Sequence, residues 1–128
     1  MVLQCASMVV TAVLHLSGVV QGRSSTFNAT AAGIAEAVIC AVLLWGAIAL
    51  GRRGAAARPL AIGTTLFAII GFIFGLSISA SYGALPDIGY HSTVLCLLIV
   101  TLVLIVRIRD PKARAGAVPR QARPASRR

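Results

Sequence analysis

Four long apolar runs, separated by short polar breaks, organise this chain. They cover residues 2–20, 29–50, 60–82 and 88–107. A helix rises about 1.5 Å per residue, so runs of roughly twenty residues match a hydrocarbon layer about 30 Å thick. The pattern predicts an all-α, polytopic membrane protein: a four-helix transmembrane bundle over residues 1–108, followed by a disordered basic tail over 109–128. The first run has no preceding positive charge and no small-residue cleavage pattern, so it reads as a retained span rather than a signal peptide.

The breaks carry helix-end signals. Asn28 or Thr26 suits an N-cap, where a side-chain oxygen accepts from a free amide of the first turn. Asn28-Ala29-Thr30 also fits a glycosylation sequon, for which a position against the membrane is a poor setting. Pro59 fits a first helical turn. Pro86 and Asp87 read as a turn, with Asp87 capping the fourth helix. Two runs show small residues every fourth position: Ala29, Gly33, Ala37 and Ala41 in the second, and Gly71, Gly75, Ser79 and Gly83 in the third. Such stripes let helices approach closely, so Gly33, Ala37, Gly71, Gly75, Ser79 and Gly83 are the expected packing residues. Trp45, Tyr82 and Tyr90 are expected at membrane interfaces.

Composition sharpens the membrane reading. Apolar residues make up 58% of the 128 and charged residues 12%, against about a quarter charged in soluble domains. The Arg-rich, Ala-rich bias suits a GC-rich bacterial source and hence the bacterial plasma membrane. The net charge of +9 is sharply partitioned. Arg52, Arg53 and Arg58 lie between the second and third runs. Arg107, Arg109, Lys112, Arg114 and four further Arg residues follow the fourth, while only Arg23 lies between the first and second. The positive-inside rule then places both termini in the cytoplasm. These basic residues are expected to contact anionic lipid or an acidic membrane partner. The tail lacks the interleaved aromatics or folded module that nucleic-acid binding requires. Cys5, Cys40 and Cys96 each fall inside an apolar run, without metal-ligand spacing, and read as small buried hydrophobes.

Ionisable groups inside apolar helices are costly and therefore mark candidate sites. His15 lies roughly 9 Å below the outer end of the first run, and Glu36 roughly 10 Å into the second. A short loop joins these runs, so the two side chains arrive at matched depth as antiparallel neighbours and are expected to face each other in the interior. His91 lies one turn into the fourth run, four residues after Asp87. Two roles stand open for that pair: an interfacial histidine beside a capping aspartate, or delivery of His91 and Asp87 over His15 and Glu36 to make an outward-facing polar pocket. Such a pocket could hold a proton or cation for transport. His15, His91 and Glu36 are also a sensible divalent-metal set, and two histidines on separate helices could ligate haem.

NATAAGIAEA in the second run and GFIFGLSISASYGALPDIGYH across the third break resemble small four-span inner-membrane proteins of GC-rich bacteria. That resemblance covers about residues 10–107 and implies architecture without an activity. No Ser/His/Asp set, phosphate loop or zinc-protease motif is present, which disfavours an enzyme. The leading expectation is a structural or accessory membrane protein acting through helix packing, alone, as a homo-oligomer or with a membrane partner, and without a cofactor. Its alternative is a small transporter or metal- or haem-binding protein using His15, Glu36 and His91.

Overall fold

The computed structural model describes residues 1–22, 27–52, 54–83 and 85–107. They form four helices: α1 (Val2–Leu16), α2 (Ala29–Gly51), α3 (Ala57–Tyr82) and α4 (Leu85–Arg107). Consecutive helices run antiparallel, with α2 packed between α1 and α3, and α3 against α4. Three of them, α2, α3 and α4, are long and apolar enough to cross a membrane. Their outer surface is correspondingly greasy: Ile70, Phe74, Leu97, Val100 and Leu104 are all exposed. A continuous apolar surface of this kind is stable against lipid and a liability in water.

The first helix is shorter than its apolar run. It has 15 residues, about 22 Å of rise, and ends at Leu16 rather than at residue 20. The reason is local. Ser17 is the C-cap and Gly18 takes a left-handed φ of 74°. The Gly18 amide then donates to the His15 carbonyl at 3.1 Å, and the Val19 amide to the Leu14 carbonyl at 3.1 Å. This paired closure satisfies carbonyls that would otherwise be orphaned, and it suits glycine because a side chain strains the left-handed region.

Asn28 caps α2, its side chain accepting from the Ala31 amide at 2.9 Å. The third helix starts three residues before the expected position, at Ala57, with Pro59 still in its first turn. Arg58 is thereby carried against the end of α4, where its guanidinium donates to the Ile105 and Val106 carbonyls. Those last carbonyls have no partner within their own helix, and a cation beside them also complements the helix dipole. Arg58 is therefore a helix-end clamp, whereas Arg52 and Arg107 are exposed. Arg53, Arg109, Lys112, Arg114 and the basic tail lie outside the described residues.

The core is assembled from all four helices: Cys5 and Met8 of α1, Ile39, Cys40 and Leu43 of α2, Ala68 and Phe72 of α3, and Val94 and Leu98 of α4. Glycines set the closest approaches. A Cβ on Gly33 would stand 3.0 Å from the Ala12 carbonyl oxygen and 3.1 Å from His15 Cβ, so α1 seats directly on α2 there. A Cβ on Gly71 would stand 2.6 Å from Ile39 Cδ1, at the α2–α3 contact. The four-residue stripe of α2 does not track its buried face, because Ala37 and Ala41 are exposed and the inward residues are Gly33, Glu36, Ile39, Cys40, Leu43 and Gly46. Cys96 is likewise exposed, unlike Cys5 and Cys40.

The α1–α4 seam is bridged by polar side chains. Gln4 Nε2 donates to Thr101 Oγ1 at 3.1 Å near one end. Thr11 Oγ1 donates to the Tyr90 hydroxyl at 2.9 Å further along. Tyr90 is therefore turned inward, onto Phe72 and His91, rather than out to an interface, while Tyr82 is exposed.

Candidate functional site

At the end of the bundle where α1 meets α2 and α3 meets α4, four titratable residues are buried together. His15, Glu36, Asp87 and His91 are only 2%, 3%, 6% and 6% exposed, which places them in the protein interior rather than on its lipid-facing surface. Each comes from a position set by local structure. His15 occupies the last turn of α1, just before the Gly18 closure. Glu36 lies two turns into α2 on the Gly33 side. Asp87 falls in the first turn of α4 and His91 one turn later.

These groups form a continuous line. Nδ1 of His15 is 3.0 Å from Oε2 of Glu36. Its other ring nitrogen, Nε2, faces Oδ1 of Asp87 at 3.6 Å. One imidazole thus stands between two carboxylates from different helices. Asp87 is shared further: Ser79 of α3 donates to its Oδ2, and His91 Nδ1 lies 3.3 Å from Oδ1 and 2.9 Å from the Asp87 carbonyl. Of the two roles open to the aspartate, the inward one is observed: its carboxylate is turned to Ser79, His15 and His91. Phe72 and Phe27 lie against His91 and His15, with centroids at 5.3 and 6.1 Å.

Two atoms of this line are buried without a hydrogen-bond partner among the described residues: Nε2 of His15 and Oε1 of Glu36. Buried polar groups are nearly always satisfied, so such atoms call for a proton, a water or a ligand.

A cavity of about 350 Å³ adjoins the line between α2 and α3. Ala31, Ala32, Ala35 and Ile39 wall it from α2, and Gly71, Phe72, Phe74 and Ile78 from α3, with Phe27, Asn28 and Tyr82 at its end. Glu36, Gly75, Ser79 and His91 complete the lining. Apolar walls with a few converging polar groups are the usual constitution of a small-molecule site. Gly75 makes room for the ring here, since a Cβ at this position would lie 2.8 Å from His91 Nε2.

All four residues singled out in the sequence, His15, Glu36, Asp87 and His91, are thus brought together. Ser79 was expected only as a packing residue, yet it also bonds a carboxylate. Gln4 and Thr101 had no expected role; a polar pair at opposite ends of the chain has no short-range sequence signal. Gly83 packs under the α4 turn, where a Cβ would approach the Ser79 carbonyl to 2.7 Å and Asp87 Oδ2 to 3.0 Å. The three-ligand metal reading gains no support. Among the described residues, no three His, Cys, Asp or Glu side chains are arranged to hold a metal ion. Nδ1 of His15 is held by Glu36, and Nε2 faces the Asp87 carboxylate at 3.6 Å.

Searches against protein-family models, curated proteins and solved structures return no match to this chain.

Proposed function

We propose that this protein is a small four-span carrier of the bacterial plasma membrane, with both termini cytoplasmic, in which the Glu36–His15–Asp87–His91 line binds and passes a proton. One observation carries this reading: a single imidazole stands between carboxylates of two other helices, 3.0 Å from one and 3.6 Å from the other. A neutral imidazole has one N–H and can donate to one of the two. An imidazolium donates to both. Protonation of His15 therefore decides whether this side chain ties α1 to α2 alone or to α2 and α4 together. This couples proton occupancy to helix packing. Chains of carboxylates and histidines inside a membrane are the groups expected for such transfer.

In this reading α1 crosses with the other three, its short helix accommodated by local bilayer thinning. Arg52, Arg58 and Arg107 mark the cytoplasmic end and hold it against anionic lipid. The site then opens toward the outer face. An impermeant maleimide should label a cysteine introduced at Gln21 in intact cells, and one at Gly54 only after lysis.

The decisive experiment uses the protein reconstituted in vesicles containing a pH-sensitive dye. An imposed pH gradient should collapse faster with wild type than with Glu36→Gln, and in nanodiscs the His15 ring nitrogens should change protonation when the pH is stepped. Equal rates with an unchanging ring would reject the carrier. The line would then be a fixed polar lock, as in an accessory protein working through helix packing.

A further inference from the structure

The proton line does not use the adjoining cavity, and the two share Glu36 and His91. One carboxylate oxygen of Glu36 is held by His15, and the other, Oε1, is buried with no partner among the described residues. Glu36 lines the cavity together with Ser79 and His91. From this we infer that the cavity is a binding site for a compact organic amine in its ammonium form, with an apolar or aromatic body.

Each part of that ligand is asked for by a feature of the site. A carboxylate oxygen is an acceptor only, so its missing partner must be a donor. A charged N–H donor makes a bond roughly twice as strong as a neutral one, and it supplies the positive charge that a second ion on Glu36 requires. An anionic ligand would meet the Glu36 carboxylate and be repelled. Phe72 and Phe74 flank the space, and aromatic faces attract ammonium groups. A volume of about 350 Å³ sits at the small end of ligand pockets, which selects a one-ring or short-chain body over a large drug-like one. Ser79 and His91 offer a hydroxyl and a ring for a second polar contact. The inference rests on reading the Glu36 line as a working site and adds the substrate class to it.

The test is calorimetric titration of the full chain in lipid nanodiscs with phenethylammonium, 2-phenylethanol and phenylacetate, subtracting empty nanodiscs. Saturable one-to-one binding of the ammonium is expected, with the alcohol and the carboxylate each weaker by at least about tenfold. Glu36→Gln should weaken ammonium binding by a similar factor. Ala35→Trp fills the cavity from an exposed position and should abolish binding. Equal binding of the alcohol, binding that survives both variants, or no saturable binding by wild type overturns the inference. A titrating His15 ring without ammonium binding rejects the ligand and keeps the proton line. Ammonium binding beside a silent ring rejects the proton line and keeps the ligand.

Discussion

Nδ1 of His15 on α1 lies 3.0 Å from Oε2 of Glu36 on α2, and both side chains are almost fully buried. Breaking such a pair from one side strands the other partner in a low-dielectric interior, at about 3–5 kcal/mol, whereas replacing both by apolar groups of similar size is often neutral or better. His15→Leu and Glu36→Leu should each lower the thermal midpoint in detergent sharply, and the double variant should be more stable than either single. Additive losses in the double variant would mean that the two groups are not coupled.

Two glycines of α3 should respond oppositely to alanine. At Gly75 the added methyl meets His91 Nε2 at 2.8 Å and Cδ2 at 2.9 Å, so the ring must leave its contact with Asp87. Overpacking of this kind costs about 1–3 kcal/mol. At Gly63 nothing lies within 4 Å, and alanine should stabilise by about 1 kcal/mol through helix propensity. Denaturation of the two variants side by side checks this, and the sign of the difference is the result that matters.

The contrast between those two positions shows what the sequence could and could not reveal. Apolar run length located four helices, and Asn28 announced the start of α2. Depth counting brought His15 to Glu36, because a short connection between antiparallel helices leaves little freedom in register. The packing face of α2 was misread for a physical reason. Alanine every fourth residue suits a helix interface and a lipid-facing surface equally, and contact with Ala12 and His15 distinguishes Gly33 from Ala37. The end of α1 was written in Ser17-Gly18 but hidden by Val19 and Val20, which prolong the apolar run beyond the helix. Two roles stood open for Asp87, a cap for α4 or delivery over His15 and Glu36. Since Pro86 is tolerated inside a first turn, the helix begins before it, and Asp87 is rotated onto Ser79 and His15.

Arg58 is predicted to stabilise α4 rather than α3, the helix that carries it. Its guanidinium holds the Ile105 and Val106 carbonyls, so Arg58→Ala should speed amide hydrogen exchange in the last turn of α4 and cost about 0.3–2 kcal/mol. Arg58→Lys keeps the charge but not the two-pronged geometry, and should recover only part of the loss. If exchange quickened in the first turn of α3 instead, the clamp would be misassigned.

The α1–α4 seam should be the weakest in the bundle. The other helix contacts are closed by glycines and core apolar residues in addition to bonds such as His15–Glu36 and Ser79–Asp87, while this one rests on side-chain bonds at Gln4–Thr101 and Thr11–Tyr90 and on the His15–Asp87 approach. Interhelical hydrogen bonds in membranes average only about 0.6 kcal/mol, because the separated helices find other partners. Tyr90→Phe and Thr11→Val should therefore each cost about that much, and the pair no more than one alone, since they remove the same bond. Because α1 is also the shortest helix, its amides should exchange before those of α2 and α3, and Tyr90→Phe should widen that gap. The proton line gives this weakness a use: a seam held by so few bonds is one that a single proton on His15 can open or close. Uniform exchange across α1, α2 and α3 would instead describe a rigid bundle, in which protonation of His15 has nothing to move.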